Sequence, residues 1–284
     1  MRSVSAIVAL VLTAATLTAC TAPTSTEVPD GVHISLFQPR PDVPKNRIAI
    51  EVHNDGADPV TITSATLDSS YFTEGFVWGP GRTATVLPGY AVDLRVNIPA
   101  EADCSDRPAA HTVTFGWSVD DRSGTASVTP DDPFHMLDLL HDAACLIVSI
   151  NAVASITAVS LTAPAHLPAP ADLILAIAPT GADGNVTIDS VHSTTLLNPA
   201  GPDGIGVAEL DVAIAIDANS LPELHIPIVP NRCDAHALAE DKVGTRIPLY
   251  VTAPDGTTGR LVLAASDELR GQMYAFYSAY CGLG

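Results

Sequence analysis

A tandem repeat constrains this chain more than any single motif in it. Ser35-Leu36 stands thirteen residues ahead of Ile48-Ala49-Ile50, and Ser160-Leu161 stands thirteen ahead of Leu173-Ile174-Leu175, with a proline-rich gap in each copy. Gly56-Ala57-Asp58 leads into Val60-Thr61-Ile62, and Gly181-Ala182-Asp183 leads into Val186-Thr187-Ile188 with one extra residue. Leu87-Pro88 then precedes a run toward Cys104, as Leu221-Pro222 precedes one toward Cys233. Each copy closes on a further cysteine, Cys145 or Cys281. Of the five cysteines, the four beyond Cys20 allow three pairings, and an even number reads as a disulfide framework where the chain is exported, as its N-terminus implies. The repeat selects Cys104 with Cys145 and Cys233 with Cys281.

Within each copy the apolar period is two, as a half-buried antiparallel strand requires. Ile48, Ile50 and Val52 alternate with Ala49, Glu51 and His53, and Val92, Leu94, Val96 and Ile98 continue the pattern. Val113, Phe115, Trp117 and Val119 repeat it, as do Leu210, Val212, Ile214 and Ile216 in the second copy. Turn signals such as Asn54-Asp55-Gly56, Pro88-Gly89 and Asp255-Gly256 separate the runs. The expectation is a mainly β chain of two tandem antiparallel β-sandwiches of about seven strands each, spanning 31–150 and 151–284. A short helix closes each copy. In the first, Asp132 caps, Pro133 takes the first helical position, and Phe134, Leu137, His141 and Ala144 form a stripe leading to Cys145. In the second, Ser266 caps, Asp267 and Glu268 suit the first turn, and Leu269, Met273, Phe276 and Tyr280 face inward. The apolar stretch from Leu146 to Ser155 reads as a packed junction or one more strand.

The N-terminus addresses the chain before it folds. Arg2 precedes an apolar run from Val4 to Leu17, too short for a comfortable membrane span and suited to the h-region of a signal peptide over residues 1–19. Leu17-Thr18-Ala19-Cys20 resembles the bacterial lipobox, which implies that Cys20 is lipidated and becomes the first mature residue. Residues 20–30, rich in Thr, Ser and Pro, serve as a flexible tether. That places the protein on the outer face of the cytoplasmic membrane, held there by its lipid anchor. Thirteen basic residues stand against 32 acidic ones, and losing Arg2 from a formal net charge of −19 leaves about −20. Such a surface excludes nucleic acid as a partner, because phosphates need a basic footprint. It also disfavours flat adsorption on anionic lipid.

The two copies look like immunoglobulin-like or fibronectin-like modules, and the whole is similar to uncharacterised actinobacterial exported lipoproteins. Asp131-Asp132-Pro133 through His141 to Cys145 carries the resemblance, together with Arg232-Cys233-Asp234-Ala235-His236 and Ala239-Glu240-Asp241-Lys242. Immunoglobulin domains join two strands by their disulfide, whereas the bridge expected here joins a strand end to a helix.

No Gly-x-Ser-x-Gly elbow, phosphate-binding glycine loop or His-Glu-x-x-His motif occurs, so no enzyme and no cofactor is expected. The best ligand cluster is Asp234, His236, Glu240 and Asp241, since a helix after Cys233 would set His236 and Glu240 four apart on one face, with donors suited to a metal. His135, Asp138 and Asp142 on the first helix read as a solvated face, His141 as a structural histidine, and Trp78 as edge packing. The expected role is a non-enzymatic binding or scaffolding module for an envelope protein or polymer. The alternative is a ligand- or metal-capturing lipoprotein that serves a transporter.

Overall fold

The gap of thirteen residues measures the distance from one strand to its antiparallel neighbour. In the computed structural model, which describes residues 25–106, 108–241 and 245–283, β1 (Val32–Phe37) turns through a 3-10 segment at Arg40–Lys45 into β2 (Arg47–Asn54). Leu36 sits opposite Ile50 in that pair. There follow β3 (Val60–Ser69), β4 (Phe76–Trp78), β5 (Ala84–Val86), β6 (Tyr90–Asn97), β7 (His111–Val119) and β8 (Arg122–Val128). One sheet runs β1-β2-β6, the other β4-β3-β7-β8 with β5 on the edge of β3. All these strand pairs are antiparallel. Period-two side chains meet between the sheets, where Ile48, Ile50, Ile62, Leu94 and Phe115 are sealed from water. This is the layering of an immunoglobulin-like sandwich.

An 18-residue helix, α1 (Met136–Val153), leads straight into β9 (Ala154–Thr162). The second copy continues with β10 (Ala171–Pro179), β11 (Val186–His192), β12 (Leu197–Pro199), β13 (Glu209–Ile216) and β14 (Glu223–Pro230). A short helix α2 (Ala235–Glu240), strands β15 (Arg246–Thr252) and β16 (Thr258–Ala264), and helix α3 (Asp267–Cys281) complete it. Its sheets, β12-β14-β10-β9 and β13-β11-β15-β16, repeat the central pairings of the first copy. β10 pairs with β14 as β2 pairs with β6, and β11 with β15 as β3 with β7. Among the described residues each copy thus has eight strands, one more than the sequence pattern suggests. The three-residue strands β4, β5 and β12 are too short for a period to show.

The first helix departs from expectation at both ends. It begins at Met136, not Pro133: His135 adopts a left-handed backbone (φ 50°) just before it. Asp132 still caps, its two carboxylate oxygens accepting from the amides of Met136 (2.7 Å) and Leu137 (2.9 Å). Phe134, left in the preceding turn, is exposed. At the other end the helix runs past Cys145, so Leu146–Val153 is the packed junction, built as helix and not as a strand. Leu146, Ile150 and Val153 recur at helical spacing and lodge in the core of the second copy, while Leu137 lies in that of the first. The expected division after residue 150 therefore falls inside a helix that both cores share.

Cys104 is bonded to Cys145 and Cys233 to Cys281, the pairing that the repeat selects. Loops closed over 41 and 48 residues contribute about 4 kcal/mol each in the chain-entropy view. Ser266 caps α3 by accepting from the Leu269 amide at 3.1 Å, with Asp267 and Glu268 in the first turn. Leu269, Met273 and Phe276 are buried, as is Tyr277, a core residue outside the expected stripe. The Tyr277 hydroxyl donates to the carbonyls of Arg232 and Asp234, tying α3 to the chain beside its disulfide.

Candidate binding cleft

The sequence-predicted ligand cluster forms around a helix, as expected, and its carboxylates Asp234 and Glu240 are engaged by neighbours. Asp234 caps α2 by accepting from the Ala237 amide at 3.0 Å, and the Arg232 guanidinium reaches both Asp234 (3.1 Å) and the Glu240 carboxylate. His236 is exposed on the same turn. Arg232 supplies the positive charge that a cation would otherwise bring. Cys20 and Lys242 lie outside the described residues.

Around α1 the polar groups are likewise structural. His141 stacks on Tyr71 with ring centroids 4.2 Å apart, and its Nε2 lies 2.9 Å from the Asp103 carbonyl and 3.4 Å from Cys145 Sγ. Tyr71 donates to Asp138 at 2.7 Å, and that bond, followed by burial, raises the phenol pKa. His135 lies 3.4 Å from Asp138, and Asp142 is a loose neighbour of His141. Cys104, His141 and Cys145 bring metal-ligand atoms together, with both sulfurs already spent in the disulfide. Trp78 is buried against the first core.

Two Ser-His-Glu groups appear that no linear motif announced, because the residues meet across strands. On the outer face of β1 and β2, His53 Nε2 lies 2.5 Å from Glu51 and 3.3 Å from Ser35 Oγ, and Ser35 donates to Glu51 at 3.0 Å. On β11 and β13, His192 Nε2 lies 3.0 Å from Ser190 Oγ and 3.2 Å from Glu209. A hydrolytic relay needs the carboxylate on one ring nitrogen and the serine on the other, so that the imidazole can pass a proton through. Here serine and carboxylate share Nε2 in both groups. The arrangement binds three side chains into a sheet-surface cluster and leaves Nδ1 out of it.

A large concavity lies where the copies meet. The outer face of α1 forms one wall with Leu139, Asp142 and Val148; Asp255, Thr258 and Arg260 of the β15–β16 hairpin form the other, enclosing about 700 Å³ beside the Cys104–Cys145 bridge. That volume is in the range of small-ligand sites. Ser149 donates to Asp255 at 3.1 Å and links the walls at one end. The Thr257 amide, then its hydroxyl, donate to Asp255 and hold its carboxyl below the ordinary range, so it stays anionic. α1 is the helix among the described residues that is long and apolar enough to cross a membrane. Its buried side chains serve two protein cores instead, yet Leu139 and Val148 remain 59% and 54% exposed at the cleft. Gly259 lets the walls approach: a Cβ there would come within 2.8 Å of Leu146 Cδ2. Sequence reasoning missed this site because its walls lie about a hundred residues apart in the chain, beyond any local pattern.

No family model matches the chain, and no curated protein matches it. Among solved structures it is similar to the sporulation control protein Spo0M of Bacillus subtilis at 10% identity and a TM-score of 0.23, covering 88% of this chain and 99% of that one. A red sea bream transglutaminase is similar at 12% identity and a TM-score of 0.25, with 84% of this chain and 31% of that chain covered. The YadV chaperone is similar at 12% identity and a TM-score of 0.17, with 77% and 92% covered. Likenesses this low say nothing of activity.

Proposed function

We propose that this chain is a lipid-anchored, extracytoplasmic, non-enzymatic binding or scaffolding module that engages an envelope partner through the cleft between its two copies. The observation that carries the proposal is the cleft itself, about 700 Å³ with an exposed apolar helix face on one side and charged, hydroxyl-bearing side chains on the other. Apolar surface left open beside convergent polar groups is the usual composition of a recognition site. The lipobox-like Leu17-Thr18-Ala19-Cys20 and the tether after it support anchoring at the outer face of the cytoplasmic membrane. The non-enzymatic part of the proposal is supported by the Ser-His-Glu groups, whose shared Nε2 offers no proton relay.

Capture from envelope extracts with the wild-type chain and with Val148→Trp, which fills the cleft from α1, tests the proposal. The expected result is one partner retained by the wild type and lost from the variant, together with release of Cys20→Ala protein from the membrane fraction. Recovery of the same partners by both proteins would overturn the assignment of the cleft.

A further inference from the structure

Four arginines in this acidic chain are neutralised in place: Arg47, Arg95, Arg232 and Arg270 each pair with a carboxylate. Arg246 and Arg260 are treated differently. The register of β15 against β16 sets Arg246 opposite Ala264 and Arg260 opposite Tyr250, so both guanidinium side chains leave the same face of the sheet. That face points away from the core, which Ile247, Leu249, Leu261 and Leu263 fill from the other side. Arg246 is half-buried, Arg260 is exposed, and neither has an ion pair among the described residues. They line a cavity of about 320 Å³ together with Ser193, Thr194 and Thr195 from the segment after β11. The hydroxyls of Ser193 and Thr195 have no hydrogen-bond partner among the described residues, whereas that of Thr194 is engaged within its own turn. Asp241 is the carboxylate on the wall; it accepts from the Thr245 amide and from the Tyr274 hydroxyl and forms no ion pair with either arginine among the described residues.

Two like charges facing one recess, one of them half-buried and neither ion-paired, repel each other, and an entering anion relieves that repulsion. Burial, and then the charge of Arg260, lower the pKa of Arg246. We infer that the recess formed by Arg246, Arg260, Ser193 and Thr195 is a binding site for a phosphate group. Two guanidinium forks match the double charge and several acceptor oxygens of a phosphate, and free hydroxyls supply further donors. The cavity is larger than a bare phosphate requires, so the group arrives on a larger molecule: a soluble phosphate ester or a phosphate-bearing lipid headgroup. Arg260 borders both this recess and the larger cleft, but the inference does not depend on a partner in that cleft.

Calorimetric titration of the full-length chain with inorganic phosphate at low ionic strength tests the site. One saturable equivalent is expected in the wild type and in Val148→Trp. Arg260→Gln, at an exposed position that the fold tolerates, weakens binding by about tenfold or more, the size of a lost charge-assisted hydrogen bond. Ser193→Ala combined with Thr195→Ala weakens it less. Sedimentation with phosphatidylcholine vesicles carrying phosphatidic acid then separates the sources. Arg260-dependent vesicle binding that inorganic phosphate displaces assigns a lipid phosphate, and phosphate binding without vesicle binding assigns a soluble ester. Absence of saturable phosphate binding, or equal binding by Arg260→Gln, overturns the inference. The behaviour of Val148→Trp keeps that outcome separate from the fate of the cleft proposal.

Discussion

Asp42 is nearly inaccessible, 2% exposed, yet it carries a charge. It sits in the 3-10 turn between β1 and β2, 2.5 Å from Arg47 of β2 and 2.6 Å from Arg95 of β6, and so joins the turn to two strands of one sheet. Burial alone pushes its carboxyl pKa up, but hydrogen bonds from Arg95 and Arg47, followed by their charges, outweigh that and hold it below the ordinary carboxylate range. A carboxyl whose folded pKa is depressed contributes stability that is present above the unfolded pKa and lost as pH falls through the folded value. Asp42→Asn should therefore cost about 3 kcal/mol at neutral pH, the low end for breaking a buried pair because both arginines remain partly solvated. The gap between variant and wild type should close as the solution is acidified below about pH 4. Urea unfolding of both proteins from pH 7 down to pH 3 measures this, and a gap independent of pH would contradict it. Nothing in the sequence marked Asp42, because Arg95 lies 53 residues away and only the strand order brings it near.

At the scale of elements, the contact of α1 with β16 decides how closely the two copies approach. Gly259→Ala places a methyl group within 2.8 Å of Leu146 Cδ2, and Leu146 is buried in the second core, so the leucine cannot swing away freely. Overpacking of this kind costs about 1–3 kcal/mol. In a Leu146→Ala background the same substitution should cost almost nothing, which a double-mutant cycle by urea unfolding reads as a coupling energy. Strict additivity would show that the two residues do not press on each other. The strands themselves were legible: Ile48, Ile50 and Val52 alternate over a surface that stays half-buried, and Ser266 caps because its hydroxyl meets a free amide in the next turn. The ends of α1 were not. Asp132 supplies capping oxygens from four residues before the helix starts, through a turn that includes left-handed His135, so the cap did not mark the first helical residue. Beyond Cys145, Leu146-Ile147-Val148 is an apolar run with two β-branched residues that a strand would also suit. Its helical spacing makes sense only once a second core is there to receive Leu146, Ile150 and Val153.

For the whole molecule the shared helix means that the two copies do not divide where the repeat divides. A fragment covering 154–284 contains every strand of the second sandwich but leaves out Leu146, Ile150 and Val153, each at most 4% exposed in that core. Burying each side chain contributes about 1.5–3 kcal/mol, so the loss together rivals the whole net stability of a domain, about 5–15 kcal/mol. The fragment 154–284 should therefore be unfolded or molten at 25 °C, while 136–284 with Cys145→Ser, which restores the helix without a stray thiol, should fold. Near-UV circular dichroism and thermal unfolding of the two fragments make the comparison, and equal midpoints would show that α1 adds nothing to the second copy. In the full chain the same helix couples the two cores. Heating should accordingly give one calorimetric transition whose measured enthalpy matches its van't Hoff value, whereas two independent sandwiches on a linker would melt in two steps. Rigidity of this kind is what the cleft requires. Its walls come from α1 and the β15–β16 hairpin, held to each other by Leu146 against Gly259 and by Ser149 donating to Asp255.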